Sequence, residues 1–325
     1  MADSAMDDRA LLHLLSDGLY HSGSELGVSL GVSRAAIWKA LKRLTDFNLK
    51  VDTVKGKGYR VIGGLDLLDS KIIQDHLSCE AQSLTDIELL LTVDSTNHYL
   101  TDASRISQKP YAVCLAEMQT AGRGRRGRSW FSPFGKNIYL SIGFDLPGGV
   151  EALSGLSLVI GLAAARVLRS QGVDNAMVKW PNDIWVDGKK LAGVLVELQG
   201  EATTGWRVVA GIGLNVEMTQ AEGAGIDQLW ASVSEYASCS RNKMVAMLLE
   251  NLVQVLAIFK ENGFEAFLME WQQYDCLRGK SIVLSNSGIE GIAKGIDAFG
   301  ALQVDTGVEL LAVNAGDVSV RPNET

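Results

Sequence analysis

The sequence predicts a multidomain α+β protein with a winged helix-turn-helix at its N-terminus, a central mixed α/β domain and a small C-terminal β-barrel. Three observations predict it. Helical periodicity with a basic face fills residues 22–44 and leads into a glycine-and-lysine hairpin. Strand-like and helical segments alternate from residue 87 to residue 274. Five short strands with Gly and Asp turns then follow. A chain of 325 residues, 47% of them apolar, exceeds one ordinary core and can bury two or three.

Composition excludes several classes before any motif is read. Residues 1–9 are acidic rather than basic and run into Leu11, Leu12, Leu14 and Leu15, a short amphipathic stretch unlike an export signal. Residues 153–168 are the most hydrophobic, but they are rich in Gly, Ser and Ala and fall short of the roughly 20 apolar residues of a membrane span. A buried helix is expected there, and no membrane partner. Cys79, Cys114, Cys239 and Cys276 are scattered, with no Cys-x-x-Cys pair and no clustered His. Neither a zinc site nor a disulfide framework follows, no resident metal is expected, and the cytoplasm is the expected compartment.

The net charge of −8 hides two cationic windows. From residue 34 to residue 60, Arg34, Lys39, Lys42, Arg43, Lys50, Lys55, Lys57 and Arg60 face only Asp46 and Asp52, an excess of six positive charges. From residue 123 to residue 136, Arg123, Arg125, Arg126, Arg128 and Lys136 occur with no acid. These are the two places to look for anions.

In the first window, apolar positions at helical spacing are interrupted by Gly31-Val32-Ser33, which reads as helix, tight turn, helix. Ser24 is placed to cap a helix over 25–30 and Ser33 one over 34–45. In the second helix Ile37, Ala40, Leu41 and Leu44 form an apolar stripe, leaving Arg34, Trp38, Lys39 and Lys42 outward. That layout sets a recognition helix into a major groove. Strands over 49–53 and 58–62 flank Val54-Lys55-Gly56-Lys57-Gly58, the composition of a wing that touches phosphate. Ser33, Arg34, Trp38, Lys39, Lys42, Lys55 and Lys57 are therefore the candidate DNA contacts. A basic helix by itself is usually a solvated face; the coincidence of cap, turn, stripe and basic hairpin argues for DNA. Trp38 has two readings, packing on DNA sugars or turning inward over the wing. The acidic remainder of the chain implies weak nonspecific binding, so two copies on a two-fold site are expected.

In the second window, strands over 87–93 and 111–117 lead to a loop from Gly122 to Trp130. Gly122, Gly124 and Gly127 satisfy the dinucleotide pattern, and residues 122–129 fit P-loop spacing with Arg128 in place of Lys. Both motifs need a helix at the last glycine. Ser129-Trp130-Phe131-Ser132-Pro133-Phe134-Gly135 is poor helix material and precedes a strand over 137–144, so both are rejected, and an oxidoreductase with them. Four arginines in six residues still repel one another unless an anion joins them, and the glycines let the backbone come close. Such a loop orders around a doubly anionic ligand and supplies bidentate donors.

Lys179-Trp180-Pro181-Asn182-Asp183, a turn at Asp187-Gly188-Lys189, and a run from Lys190 to Glu197 read as strand, turn, strand. Small Ala192 and Gly193 suggest a central strand with Lys190 aimed into a cleft, although a lysine at a strand edge is more often solvated. Residues 206–212 form another strand, ending in Gly213-Leu214-Asn215-Val216. A long amphipathic helix over 243–262 and a segment over 264–274 precede five short strands between 281 and 320, whose turns suit a small SH3-like barrel.

Five of these motifs, Ser95-Thr96-Asn97, the loop at 122–127, Lys179-Trp180-Pro181-Asn182-Asp183, Lys190-Leu191-Ala192-Gly193 and Gly211-Ile212-Gly213-Leu214-Asn215, occur in the order and spacing of biotin protein ligases. The chain resembles that family over essentially its whole length, and its winged helix resembles the bifunctional bacterial type, the biotin operon repressor. The resemblance implies a central mixed sheet flanked by helices, related to class II aminoacyl-tRNA synthetases, and domains over 1–66, 67–274 and 275–325. It implies biotin and ATP as substrates with Mg2+, biotinyl-5'-AMP as intermediate, and transfer to a lysine of a biotin carboxyl carrier protein. It implies repression at operator DNA by a homodimer loaded with the adenylate and paired side by side through the catalytic domains. Ser95, Thr96, Asn97, Gln119, Arg123, Gly124, Arg125 and Lys190 are implied to hold biotin, and Lys190, Arg125 and Asp183 to serve the chemistry. Trp130, Asn215, Arg128 and Arg321 are implied on the nucleotide side. Two rivals are weighed. A biotin-sensing repressor without ligase activity is disfavoured by the intact Lys190 and arginine loop, and a lipoate-type ligase by the form of that loop.

Overall fold

Amphipathic spacing decides the first unit. In a computed structural model of the protein, the described residues are 8–102, 107–201, 205–285, 287–315 and 320–322. Helices α1 (Asp8–Leu15), α2 (Gly23–Leu30) and α3 (Arg34–Arg43) close around Leu11, Leu12, Leu15, Leu26 and the expected stripe Ile37, Ala40, Leu41 and Leu44. The cap of α2 is Ser22 rather than Ser24. Ser22 Oγ accepts from Glu25 N (3.1 Å) while Glu25 Oε2 accepts from Ser22 N (2.9 Å). This reciprocal box starts the helix at Gly23 and leaves Ser24 in its first turn. Gly31 ends α2 in the left-handed region (φ 65°) and Ser33 caps α3 by accepting from Ala36 N at 3.2 Å. α3 stops at Arg43, short of residue 45, because the chain tightens into a 3₁₀ turn at Leu44–Phe47. Strands β1 (Val51–Val54) and β2 (Gly58–Val61) then pair antiparallel, with Lys55 and Lys57 exposed at the tip.

The central unit is a seven-stranded mixed sheet made of β3 (Thr85–Val93), β4 (Tyr111–Gln119), β5 (Ile138–Leu146), β6 (Met177–Lys179), β7 (Asp183–Val186), β8 (Lys189–Glu201) and β9 (Gly205–Leu214). Its order is β3-β4-β5-β9-β8-β7-β6; β3 and β4 are parallel and the other neighbours antiparallel. Alternation sorts the faces. On β4, Tyr111, Val113 and Leu115 join the core under α7 (Leu156–Ser170) and α8 (Arg241–Asn262). Ala112 and Cys114 instead meet Leu100 of α6 (Thr96–Thr101) on the opposite side. The segment Glu151–Ser170 and α8 are apolar and long enough to cross a membrane by length and composition, but 61% of each apolar window is buried inside the protein, as in core helices.

The C-terminal strands β10 (Ser281–Leu284), β11 (Glu290–Ile296), β12 (Leu302–Asp305), β13 (Leu310–Val313) and β14 (Val320–Pro322) form an antiparallel sheet in the order β13-β12-β11-β10-β14. Among the described residues no pairing joins β13 to β14, so the barrel is open at that seam. Its buried Ile282, Leu284, Ala293, Leu302 and Val304 are continuous with the central core, and Trp180 Nε1 donates across the junction to Gly300 O at 3.0 Å.

Two devices tie the winged helix to the sheet. Phe47 stacks on Phe134, with centroids 4.7 Å apart. Arg241, fully buried at the start of α8, pairs with buried Glu117 of β4 at 2.8 Å and donates to Asp66 O and Asn137 O. Glu117 Oε1 in turn accepts from Leu68 N, and Asn242 Nδ2 donates to Leu67 O, so the linker is clasped on both sides.

Candidate active site and DNA-facing helix

Three glycines clear the floor of the site. Gly193 on β8 and Gly213 on β9 are cross-strand partners, and both lie under the Trp130 indole. A Cβ at Gly193 would stand 3.2 Å from Trp130 Cζ3, and one at Gly213 would stand 2.5 Å from its Nε1. At Gly211 a side chain would collide with Asn97 Oδ1. The small residues therefore make a flat seat for a planar group, and Trp130 lies on it with its buried Nε1 lacking a hydrogen-bond partner among the described residues.

A polar row runs along one wall. Ser95 caps α6, and Ser95, Thr96 and Asn97 are all buried. Gln119, at the end of β4, accepts from Thr96 N at 2.9 Å and donates to Ser132 Oγ at 3.1 Å. Ser141 Oγ lies 2.7 Å from Thr96 Oγ1 and 2.6 Å from Asn97 Oδ1 and, with one hydrogen, donates to one at a time. Asn97 Nδ2 donates to Glu197 Oε2 at 2.8 Å, and Arg123 Nη1 pairs with Glu197 Oε1 at 3.1 Å.

The arginine loop covers this row. Gly122 O accepts from Trp130 N at 2.8 Å and Gly124 N donates to Arg128 O at 2.6 Å, which closes the loop on itself. It holds only a 3₁₀ turn, Arg125–Gly127, with Arg126 in the left-handed region, and the chain leaves it extended at Arg128, so no helix follows Gly127. Arg125 reaches down: Nη1 donates to Asn182 Oδ1 at 3.1 Å and Nη2 to Ala315 O of the C-terminal unit. Burial, with Arg126 beside it, pulls the Arg125 guanidinium below its ordinary value against the opposing effect of Asp183; it stays protonated. Arg128 is exposed and donates from Nε to Arg125 O at 3.4 Å.

Lys190 points inward because β7 and β8 slip register between Ile184 and Trp185, re-aiming the strand start. Its backbone is pinned on the other side by Leu229 O and Ala231 N. The side chain is only 8% exposed, its Nζ lies 2.9 Å from Asp183 Oδ1, and the Trp130 centroid is 5.3 Å away. The contact with Asp183 is an ion pair rather than an aligned hydrogen bond, since Oδ1 has no hydrogen-bond partner among the described residues. Ser95, Thr96, Asn97, Gln119, Arg123, Gly124, Arg125, Arg128, Trp130 and Lys190 thus line one inner cavity of about 80 Å³. It shares walls with an outer cleft of about 2770 Å³ lined also by Asp183 and Asn215. Small-molecule sites run from roughly 300 Å³ upward, so the inner cavity by itself is smaller than one. Cys276 lines the outer cleft too, but burial pushes its thiol up to about 12, which keeps it protonated.

Asn215 lines the outer cleft and donates its side-chain amide to Ala231 O at 3.2 Å. Arg321 pairs through its backbone with Val283, and its side chain lies outside the described part. The sequence reading passed over Ser141, Glu197 and Asn182 as site residues, and over Gln228 and Trp230, which line these cavities. The signals available were a polar residue inside the apolar run of β5, an acid ending the apolar run of β8, and Gly223, on which Trp230 packs.

On the other cationic surface, Ser33, Arg34, Trp38, Lys39 and Lys42 are exposed along α3. Trp38 is 51% exposed, with Lys42 Nζ 3.8 Å from its ring centroid, so it points outward and does not cover the wing. Lys57 at the wing stands 5.7 Å from the Tyr20 ring.

Comparisons with known proteins match three stretches of the chain. Residues 8–60 match the HTH domain, residues 90–215 the biotin/lipoate A/B protein ligase family, and residues 282–321 the biotin protein ligase C terminal domain. The chain is 41% identical over 318 residues to the bifunctional ligase/repressor BirA of Escherichia coli (strain K12), covering 97% of both. It is 27% identical over 311 residues to that of Bacillus subtilis (strain 168), covering 92% of this chain and 93% of the relative. The solved biotin protein ligase from Aquifex aeolicus in complex with biotin and ATP superposes with a TM-score of 0.63 at 28% identity, over 73% of this chain and 99% of that one.

Proposed function

Because this chain belongs to the biotin protein ligase family and is similar along its length to bifunctional ligase/repressors, we propose that it joins biotin to ATP as biotinyl-5'-AMP, transfers the biotinyl group to a carrier lysine, and represses transcription at an operator. One observation carries the reading: Arg123, Arg125 and Lys190, from a loop and a distant strand, converge on a cavity lined also by the polar row of Ser95, Thr96, Asn97 and Gln119.

The chemistry follows from charge. Biotin's carboxylate attacks the α-phosphorus of MgATP and pyrophosphate leaves, a meeting of two anions that requires cations placed beforehand. Lys190, already desolvated beside Asp183, exchanges that partner for the carboxylate and α-phosphate. Arg123 and Arg125 order over the ligand, the polar row receives the biotin head, and Trp130, Arg128, Asn215 and Arg321 serve the nucleotide side. Mg2+ would enter as part of the MgATP substrate and supply charge neutralisation on its phosphates, and Asp183, paired with Lys190, is the carboxylate that would meet it. The carrier lysine then attacks the mixed anhydride, AMP leaves, and the closed loop keeps water out. Asp183, freed from Lys190, orients the incoming amine.

The units 1–66, 67–274 and 275–325 divide these tasks, and the adenylate-loaded chain acts as a cytoplasmic homodimer paired through its central units. Incubation with labelled biotin, ATP, Mg2+ and a biotin-accepting domain tests the proposal. Label on the carrier that excess lipoate does not displace is expected; no label, with biotin nevertheless bound, leaves only a sensing repressor.

A further inference from the structure

Alternation along β8 puts Gly193, Leu195 and Glu197 on one face, and Gly193 is part of the seat under Trp130, so Glu197 faces the site as well. Its carboxylate meets two donors. Asn97 Nδ2 lies 2.8 Å from Oε2, while Arg123 pairs bidentately, Nη1 with Oε1 at 3.1 Å and Nη2 with Oε2 at 3.2 Å. The Arg123 and Glu197 side chains are 42% and 28% exposed. A pair this well solvated adds little to stability, so its consequence is geometric. Two parallel contacts fix the plane of a guanidinium, which one contact does not. Arg123 also forms the backbone bridge to Ser129 that closes the stem of the arginine loop, so holding Arg123 holds the stem. Without the carboxylate, Arg123 is repelled by the cationic Arg125, Arg126 and Arg128 that follow it, and the Asn97 amide keeps only Leu195 O and Ser141 Oγ.

We propose that Glu197 is a positioning residue for biotin recognition: its carboxylate holds Arg123 and the Asn97 amide in the orientation that receives biotin, so that the arginine loop closes from a preset stem. This rests on the reading of the cavity as a biotin site. Adenylate formation is measured against biotin and ATP concentration in the full-length chain, the Glu197→Gln and Glu197→Asp variants, Arg123→Gln, and the double variant. Glu197→Gln is expected to raise the biotin KM about tenfold, the scale of one lost charge-assisted contact, with kcat and the ATP KM changed less than about twofold and an unaltered melting temperature. Glu197→Asp, which restores the charge, recovers most of the loss, and the double variant loses clearly less than the sum of the two single losses, the remainder beyond Arg123→Gln being the Asn97 contact. An unchanged biotin KM in Glu197→Gln, additive losses in the double variant, or equal losses in Gln and Asp together with a lowered melting temperature each overturn the inference. An unmutated chain that makes no adenylate overturns the biotin-site reading and this inference with it.

Discussion

At Gly213 a single methyl group would meet the Trp130 indole 2.5 Å from Nε1, closer than unbonded atoms approach. Gly213→Ala therefore lifts the indole and fills the seat, and biotin binding by calorimetry should weaken at least ~10-fold, as expected where backbone and ligand must approach closely. Arg125→Ala removes the bridge from the loop to Asn182 and Ala315. Filter assays should then find biotinyl-5'-AMP free in solution instead of bound; adenylate retained as in the unmutated chain contradicts the role given to the loop. Much of the site was legible as motifs, since Lys190, the arginines and Ser95 to Asn97 lie in short runs. Ser141 and Glu197 were not. Ser141 interrupts the apolar run of β5 and Glu197 ends that of β8, and the place of each in the site is created by pairing Ser141 with Gly211 and Leu195 with Gly211, a register that no local pattern encodes.

Elements bring in buried charge. Arg241 opens α8, against the dipole preference for acids in a first turn, and the sequence reading began that helix only at residue 243. What places it is distant: Glu117, Asp66 and Asn137 take its guanidinium and backbone donors, and Arg241, Glu117 and Asn137 are fully buried. Arg241→Leu strands Glu117 as an unpaired buried anion and should cost about 3–5 kcal/mol in denaturant unfolding of the chain, whereas a loss under ~1 kcal/mol argues that the linker clasp is not formed. Asp275, in the segment that leads into the C-terminal unit, makes an isolated bridge to Val178, and its Oδ2 is buried with no hydrogen-bond partner among the described residues. Burial pushes this carboxyl up to about 6. With the folded value above the unfolded one, the protonated form contributes fully below about pH 4, and that contribution is lost as pH rises toward the folded value of about 6. Asp275→Asn should thus stabilise the protein relative to the native residue above pH 6 by on the order of 2–3 kcal/mol and have little effect near pH 4. Melting temperatures across that range would show the crossover, and parallel curves would count against it.

For the molecule as a whole, two anion-seeking surfaces stand on an acidic body of net charge −8, and the linker clasp and the Phe47–Phe134 stack hold them in one arrangement. Charge windows made both surfaces readable from sequence; the clasp that joins them was not readable, because Glu117, Arg241 and Asp66 are far apart along the chain. On the DNA side, Lys55→Ala with Lys57→Ala should reduce the slope of log affinity against log salt by about 2, one per phosphate contact, and an unchanged slope removes the wing from the interface. The central claim is that the cationic loop and Lys190 together hold an acyl adenylate. Native mass spectrometry of the chain after incubation with biotin and MgATP tests it most directly: the unmutated protein should carry one biotinyl-5'-AMP and Lys190→Gln none, whereas equal loading of both, or loading of neither, contradicts it.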